Sequence, residues 1–284
     1  MDGAPFFGTQ PSYFRRQIHR MRIVSLAIIL LLAQGISAQQ APEIHCKHFY
    51  MGYPYGAAQS NDLIIHDVYA LSNNDQTKFA DWVAYRLTVH EVDGDIGLDR
   101  NWKSEEWLDA DETLEASDYT GSNAANDYER GHQAPLGSFK RSVHASQTNH
   151  LSNITPQRSD LNQGPWKVLE DAVRELVMNG NTVHVMTGPL YERDMPALPK
   201  ADEPHKVPSA YWKVVVAISA NEVKYAAFIM DQDSKRNDPV LSKVVSIDEV
   251  EKRSGLDLLW QLPDAEESSV ETAKNTSWIS TWVK

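Results

Sequence analysis

The spacing of apolar residues limits the fold of this chain more than any other feature of its sequence. After Asp160, the residues Trp166, Leu169 and Val173 recur at helical spacing, and Ile247–Ser254 predicts a second, shorter helix. Other apolar runs have the length and composition of strands. These runs cover residues 63–71, 79–89, 151–156, 182–187, 211–218 and 223–230. The mixture predicts an α+β fold.

Two of these runs indicate how the sheet is built. Only four residues separate Tyr211–Ile218 from Val223–Met230, which is typical of a hairpin. We therefore expect this hairpin and Thr182–Thr187 at the centre of an antiparallel sheet. The helix after Asp160 should end near Asn179-Gly180, because glycine commonly terminates helices.

The cysteine content and the net charge exclude several classes of protein. A single cysteine, Cys46, cannot form an intramolecular disulfide or a zinc site built on cysteine pairs, although it leaves a homodimer open. The chain of 284 residues is 42% hydrophobic, so a packed core can provide the stability. Its formal charge of −12 gives no overall basic surface, and a nucleic acid would need a local cationic site.

The N-terminal segment has the pattern of a secretory signal peptide. The apolar run 23–33 follows four arginines and precedes the small-residue sequence Ile36-Ser37-Ala38. Such a run is too short to span a bilayer as a helix, which needs roughly 20 residues, so a membrane anchor is the less favoured alternative. We predict a signal peptide over 1–38, with Met21 as an alternative start, and a secreted or periplasmic mature chain without a membrane segment.

The remainder of the chain is predicted to form one domain. Residues 39–60 are rich in glycine, proline and tyrosine and predict an irregular lead-in, and residues 61–284 form the domain. Within it, the polar and acidic stretch 101–126 predicts a long surface loop, a type of segment that often carries function.

A strand–strand–helix series carries residues suited to phosphodiester hydrolysis. His132 lies on the first element, and a helix beginning near Asn162 would place Trp166, Glu170 and Arg174 on the same face as Asn162. Such a reaction needs a base for water, a cation on the phosphate oxygens and positive side chains. A histidine supplies the base, and the oxygen donors suit Mg²⁺ better than zinc.

Each of these residues also has an ordinary structural interpretation. A histidine beside glycine is often structural, an asparagine before a helix is often its N-cap, and Arg130, Glu170 and Arg174 could be surface charges. Spacing alone is therefore a weak signal. Similarly, Trp102 could stack on bases or anchor the 101–126 loop, and we favour anchoring there, although for Tyr119 we expect a substrate contact.

Three segments resemble the signature sequences of the DNA/RNA non-specific endonuclease family, of the ββα-metal type. They are ERGHQAPLGSFK, LSNITPQRSDLNQGPWKVLED and TGPLYERDMPALP, and the resemblance, which is to the secreted Serratia-type members above all, covers roughly residues 60–263. It implies a central antiparallel sheet with a ββα-metal (His-Me finger) motif. It also implies Mg²⁺-dependent cleavage, with Mn²⁺ as a substitute, of single- and double-stranded DNA and RNA to products with 5′-phosphates.

The resemblance also assigns roles to single positions. His132 matches the general base, Asn162 the direct protein ligand of the magnesium ion, and Glu170 the residue that holds the waters of that ion. Arg100 matches an arginine that stabilises charge on the departing group. The expected substrate contacts are Arg130, Arg174, Asn149, Asn153, Tyr119 and Trp166.

Glu129 departs from the family pattern, which has aspartate at this position. We expect its carboxylate to act in catalysis by orienting a water or Arg130, because an anion aimed at a phosphodiester is repelled by it. A different class of function, a nucleic-acid-binding module without activity, would keep the same fold. The presence of His132, Asn162 and Glu170 together argues against that alternative.

Overall fold

The computed structural model describes Met1, residues 42–94 and residues 100–283. The signal peptide predicted over 1–38 therefore lies, apart from Met1, outside the described residues. The chain divides into two units, Met1–Pro42 and Glu43–Lys284, and the second holds all the elements given below. Among the described residues, no helix has the length and apolar character needed to cross a membrane.

The second unit combines strands and helices. The strands are Asp62–Ile65 (β1), Ala70–Asn74 (β2), Phe79–Leu87 (β3), Tyr128–His132 (β4), Ile154–Arg158 (β5), Thr182–Leu190 (β6), Ala210–Ile218 (β7), Val223–Asp231 (β8) and Val244–Val245 (β9). The α-helices are Val89–Val92 (α1), Ser122–Asn126 (α2), Ser159–Leu161 (α3), Lys167–Met178 (α4), Ile247–Ser254 (α5), Asp264–Thr272 (α6) and Thr276–Ile279 (α7).

These strands form one large sheet and one small one. The large sheet has the order β1-β2-β3-β6-β7-β8-β9, and each neighbouring pair is antiparallel. In the small sheet, β4 pairs with β5, with Tyr128 opposite Arg158 and His132 opposite Ile154. The prediction of an α+β fold with a central antiparallel sheet is confirmed.

Both faces of the large sheet are covered, which explains why its central strands are apolar with little alternation. Helix α4 packs on one face through its buried side chains, among them Leu169, Val173 and Val177. Helix α5 covers the other face with Ile247 and Val250. The ββα series β4-β5-α4 is therefore fixed to the sheet by the apolar side of its helix.

Several boundaries follow the predicted ones. The β7–β8 hairpin and helix α5 lie where the sequence places them. Helix α4 ends at Met178 with Asn179 as its C-cap, and Gly180 adopts a left-handed φ of +92°, with its N–H donating to the carbonyl of Val177 at 2.9 Å. A residue without Cβ takes this conformation at little cost, which is why glycine ends the helix.

Three predicted elements were wrong in detail. The run 63–71 is two strands joined by a turn, and the run 151–156 begins with a 3₁₀ turn over Leu151–Asn153, so β5 starts only at Ile154. The helix predicted from Asn162 begins earlier, at Ser159, and widens into a π-helical turn over 162–166.

The π-helical turn has a local cause in Gly164 and Pro165. Proline has no N–H to donate within the helix, and Gly164 leaves helical geometry with φ −102° and ψ −119°. A Cβ on Gly164 would lie 2.5 Å from the carbonyl oxygen of Arg236. The turn therefore depends on a close backbone approach that only glycine permits.

Candidate active site

A cleft of about 1050 Å³ lies along β4 and the helical series α3–α4. Eight of the residues singled out in the sequence line it, namely Arg100, Tyr119, Glu129, Arg130, His132, Asn162, Glu170 and Arg174. They come from the 101–126 region and its flank, from β4 and from the helices after β5. The ββα arrangement thus gathers residues more than 70 positions apart in the sequence, from Arg100 to Arg174, around one cavity.

His132 is held in a defined tautomer on β4. Its Nε2 lies 3.2 Å from Oδ1 of Asn149, and because an amide oxygen only accepts, Nε2 carries the proton. The other nitrogen, Nδ1, then has the lone pair. The ring of Trp102 packs against the imidazole with centroids 5.5 Å apart. Burial lowers the pKa of His132 to about 4, so the imidazole is neutral at neutral pH.

Glu129 holds the amide of Asn162 in one orientation. Its Oε2 accepts a hydrogen bond from Nδ2 of Asn162 at 2.8 Å, and its Oε1 accepts one from Gln163. A carboxylate accepts only from the nitrogen of an amide, so Oδ1 of Asn162 is left as the atom that can bind a cation. Glu129 therefore contacts this amide directly, where the sequence led us to expect a water or Arg130.

Glu170 interacts electrostatically with a lysine, Lys213, that is fully buried in β7. The Nζ of Lys213 is 4.2 Å from the centre of the Trp166 ring, and Lys213 has no exposed surface. Burial raises the pKa of Glu170 and lowers that of Lys213, and the attraction between the two opposes both shifts. The lysine supplies positive charge from inside the protein, which favours the ionised form of Glu170.

The guanidinium of Arg130 is enclosed between two aromatic rings. It lies 5.3 Å from the ring centre of Trp102 and 5.1 Å from that of Tyr119, and its Nη2 donates to the carbonyl of Ala116 at 2.7 Å. Stacking of this kind fixes the plane of the guanidinium, which then presents its remaining donors in one direction. Tyr119 is itself buried, so its ring serves chiefly to hold Arg130.

The other positively charged side chains of the cleft differ in whether they are paired with a carboxylate. Arg174 is bonded to Asp171 and to the hydroxyl of Ser138, and Arg236 pairs with Asp160 at 3.1 Å. Arg100 is exposed at the cleft. The positive charge available to a polyanion is therefore local and small in amount, consistent with the acidic chain as a whole.

Three predicted substrate contacts lie beneath the cleft wall instead of on it. Asn149, Asn153 and Trp166 have at most 1% of their surface exposed. Asn153 bonds to both the N–H and the carbonyl of Ala134 and to the carbonyl of Thr148, which ties the segment after β4 to the 3₁₀ turn Ala145–Asn149. Nε1 of Trp166 lies 3.4 Å from the carbonyl of His132. Their burial favours a supporting role over the direct contact predicted from the sequence.

One residue of the site, Lys213, was missed in the sequence, and the contacts of another, Trp102, were not foreseen. Lys213 could have been noticed as one charged residue within the apolar strand AYWKVVVAI, a position that demands an anionic or aromatic partner. Trp102 was interpreted as a loop anchor, which agrees with its packing, but its contacts with both His132 and Arg130 depend on a tertiary arrangement that no local pattern reveals.

Replacing Glu129 with glutamine is expected to lower kcat/KM by about tenfold to a hundredfold. A neutral amide offers one acceptor oxygen for two donors, so Asn162 loses a charge-assisted bond, which is worth about 1.5–3 kcal/mol. The measurement is steady-state hydrolysis of a short DNA duplex. The matched control, Gln163→Ala, removes the other donor and should stay close to wild type; equal rates for Glu129→Gln and wild type would show that the contact with Asn162 has no role.

Comparison with known proteins identifies the family of the chain. The model of the family described as DNA/RNA non-specific endonuclease matches residues 47–265. A nuclease of Serratia marcescens is 42% identical over 88% of this chain and 93% of its own length. A nuclease of Nostoc sp. is 30% identical over 89% of this chain and 97% of its own.

A solved structure has the same fold. A chain in the crystal structure of the EndoG/EndoGI complex, which concerns the mechanism of EndoG inhibition, superposes with a TM-score of 0.67 at 25% identity, over 78% of this chain and 95% of that one. The family match covers β1–β9 and the whole ββα series. The chain therefore belongs to the DNA/RNA non-specific endonuclease family and is an endonuclease, a hydrolase of phosphodiester bonds in nucleic acids.

Proposed function

We propose that this endonuclease depends on Mg²⁺, is exported from the cell, and cleaves single- and double-stranded DNA and RNA to oligonucleotides with 5′-phosphates. One observation carries the proposal. His132, with its Nε2 bonded to Asn149, shares a single cleft with Asn162, whose amide is oriented by Glu129. A base and an oxygen site for a cation thus lie in the same cavity.

The donors in the cleft fit a hard divalent cation. Asn162, Glu170 and Glu129 offer only oxygen atoms to a metal, and neither cysteine nor a second histidine lines the cavity among the described residues. Oxygen ligands with room for water are the preference of Mg²⁺, and Mn²⁺ shares that preference. When bound there, the ion would supply positive charge that stabilises the phosphate in the transition state.

The side chains of the chain itself would perform the remaining steps. Nδ1 of His132 would accept a proton from the attacking water, because Nε2–H is engaged with Asn149 and the ring is neutral. Arg130, fixed between its two aromatic rings, would bind a non-bridging phosphate oxygen. Arg100 would stabilise the charge that develops on the departing oxygen.

The composition of the cleft supports broad substrate choice. Its arginines and Lys167 are suited to phosphate oxygens, and contacts with phosphates position a nucleic acid without reading its sequence. A ribose 2′-hydroxyl is not required by any of the roles assigned to His132, Asn162 or Arg130. The same side chains would therefore serve DNA and RNA.

Substrate breadth and product ends test this proposal. The purified chain should degrade a DNA duplex, a single-stranded DNA and an RNA transcript at rates within about two orders of magnitude of one another, which is a difference of about 2.7 kcal/mol in barrier. The products should accept a 5′-label from a kinase only after phosphatase treatment. Products with free 5′-hydroxyls, or activity on one polymer alone, would contradict it.

Export rests on the pattern of residues 1–38, which precede the described part of the second unit. Expression of the full chain in a bacterial host should yield an extracytoplasmic protein whose N-terminal residue is Gln39. A cytoplasmic protein that retains the arginines before residue 23 would contradict export without affecting the catalytic part of the proposal.

The pH profile should lack an acid limb near neutrality. Burial lowers the pKa of His132 from 6.5 to about 4, the bond to Asn149 opposes this shift and the charge of Arg100 adds to it. Protonation removes the lone pair, so kcat/KM should be level from about pH 8 to about pH 5 and fall about tenfold per unit below about pH 4. The measurement is kcat/KM at saturating Mg²⁺; a limb centred near pH 6.5 would contradict the environment described for His132.

Folding must be followed in the same experiment, because acid also destabilises the protein. Burial lowers the pKa of His48 and of His184 to about 4 as well. The unfolded chain then binds more protons than the folded chain between about pH 6.5 and pH 4, so stability is lost as the pH falls through that window. Circular dichroism at each pH separates this loss from protonation of the base.

A further inference from the structure

A second group of potential metal ligands lies outside the cleft. His66 follows β1, Glu105 belongs to the loop after residue 100, and His150 lies between the 3₁₀ turns Ala145–Asn149 and Leu151–Asn153. One ligand atom from each lies within 4.8 Å of the others, and all three residues are buried. Among the described residues, this is the one such group that contains imidazoles.

The hydrogen bonding of Glu105 is uneven. Its Oε2 has three partners, namely Nε2 of His66 at 2.9 Å, Nδ1 of His150 at 3.2 Å and Oγ of Ser152 at 2.7 Å. Its Oε1 is buried with no hydrogen-bond partner among the described residues. A buried carboxylate oxygen without a partner is costly, and three donors exceed the two lone pairs of the other oxygen. One oxygen of Glu105 thus has more hydrogen-bond donors than lone pairs, and the other has no donor among the described residues.

The distances between the ligand atoms suit a cation with tetrahedral coordination. Zinc binds nitrogen and oxygen at about 2.0–2.2 Å, so neighbouring ligands of a tetrahedron lie about 3.3 Å apart. The distances from Oε2 to the two ring nitrogens, 2.9 and 3.2 Å, are close to that edge. Two imidazoles and a carboxylate form a ligand set that zinc accepts, whereas the oxygen-only donors of the cleft do not favour it.

We propose that His66, Glu105 and His150 bind one Zn²⁺ or a similar late first-row divalent ion, at a structural site separate from the catalytic cleft. Both oxygens of Glu105 would then have a positive partner, with Oε2 as the ligand and Oε1 as a second, weaker contact of the same carboxylate with the ion. Each imidazole would bind through the nitrogen that faces Glu105, and the proton on that nitrogen would pass to solvent, with the other ring nitrogen carrying the N–H of the neutral ring. Ser152 would remain as a donor that orients the carboxylate.

This site would fix the loop that carries two residues of the cleft. Between Arg100 and Glu105, the N–H of Lys103 donates to the carbonyl of Asn149 at 3.1 Å, and Leu151 donates to the carbonyl of Lys103 at 2.9 Å. The ion would join this loop to the end of β1 and to the segment that positions His132 through Asn149. The role of the ion would therefore be to stabilise the wall of the cleft. This role is separate from the proposed catalytic function.

Cobalt binding by the full chain tests the proposal directly. The protein, prepared without a polyhistidine tag and stripped with a chelator, receives one equivalent of Co²⁺ in excess Mg²⁺, which fills sites with oxygen donors. We expect about one cobalt per chain after gel filtration, the visible absorption of four-coordinate Co²⁺, and displacement by Zn²⁺. A wild-type chain that retains less than about a tenth of an equivalent would overturn the proposal, and the group would then be only a hydrogen-bonded carboxylate.

Variants identify the ligands. Glu105→Gln and His150→Asn should each weaken cobalt binding by at least about tenfold. In both variants, zinc should raise the melting temperature of the stripped chain by less than it does in wild type. His184→Asn, which changes another buried histidine, should bind cobalt as wild type does. Unchanged binding in the first two variants, or a thiolate-to-cobalt band that disappears in Cys46→Ser, would overturn the assignment. If the variants do not fold, the wild-type spectrum decides by itself.

Discussion

Replacing His132 with alanine should lower kcat by about 10²–10⁴-fold, because this change removes the residue that we propose as the base for the attacking water. The loss corresponds to about 2.7–5.4 kcal/mol of barrier. Binding of nucleic acid should survive, since Arg100 and Arg130 remain in the cleft and the imidazole is neutral. Single-turnover hydrolysis, together with binding of a duplex in Ca²⁺ or without metal, measures the two properties separately.

A matched control distinguishes chemistry from damage to the fold. His90 is an exposed histidine on α1 and does not line the cleft, so His90→Ala should retain wild-type turnover. Retention of more than about a tenth of wild-type turnover by a folded His132→Ala chain would remove this residue from the role of base, since loss of a general base costs about a hundredfold or more.

Replacing Asn162 with alanine should raise the Mg²⁺ concentration needed for half-maximal activity by more than about tenfold. Loss of a group that only supports a ligand typically costs about 10–100-fold in metal affinity, and a direct ligand should cost at least as much. The same variant leaves Glu129 without its 2.8 Å partner, which adds an unpaired carboxylate to the site. Activity titrated with Mg²⁺ at fixed substrate gives the shift.

The affinity of Asn162→Ala for nucleic acid is compared with its Mg²⁺ requirement, to show that the variant affects the metal and not the substrate. Asn162 donates its N–H to Glu129, so its loss should change KM for nucleic acid far less than the metal requirement. Asn126→Ala, which removes a side chain bonded to the carbonyl of Ala197 outside the cleft, serves as the control. An unchanged Mg²⁺ requirement in Asn162→Ala would show that the ion is held elsewhere.

The parts of the fold that the sequence predicts well are those set by local pattern. The β7–β8 hairpin follows from two apolar runs and a short link, and the end of α4 follows from Gly180. The burial of Lys213 cannot be predicted from local pattern. The Trp166 ring and the Glu170 carboxylate, which stabilise its buried positive charge, belong to another part of the chain. Local pattern marks that lysine as unusual but does not supply its partners.

The candidate site shows the same division. Resemblance to the family places His132, Asn162 and Glu170, and the structure brings all three to one cleft. The hydrogen bond between Glu129 and Asn162 joins residues that are 33 positions apart on different elements. The sequence pattern therefore does not reveal it, whereas the structure does. Trp166 was expected on the cleft face by helical spacing, but it ends the π-helical turn and its ring lies in the core.

The central claim is that a divalent ion and His132 act together in phosphodiester hydrolysis. The most direct test is the nicking of supercoiled plasmid by the purified chain, first in excess EDTA and then after Mg²⁺ is added beyond the chelator. We expect no relaxed or linear product in EDTA and full recovery with Mg²⁺, because the proposed ion would supply the positive charge at the oxygen site of Asn162, where the arginines of the cleft do not replace it. Nicking in EDTA at the rate seen with Mg²⁺ would contradict the account.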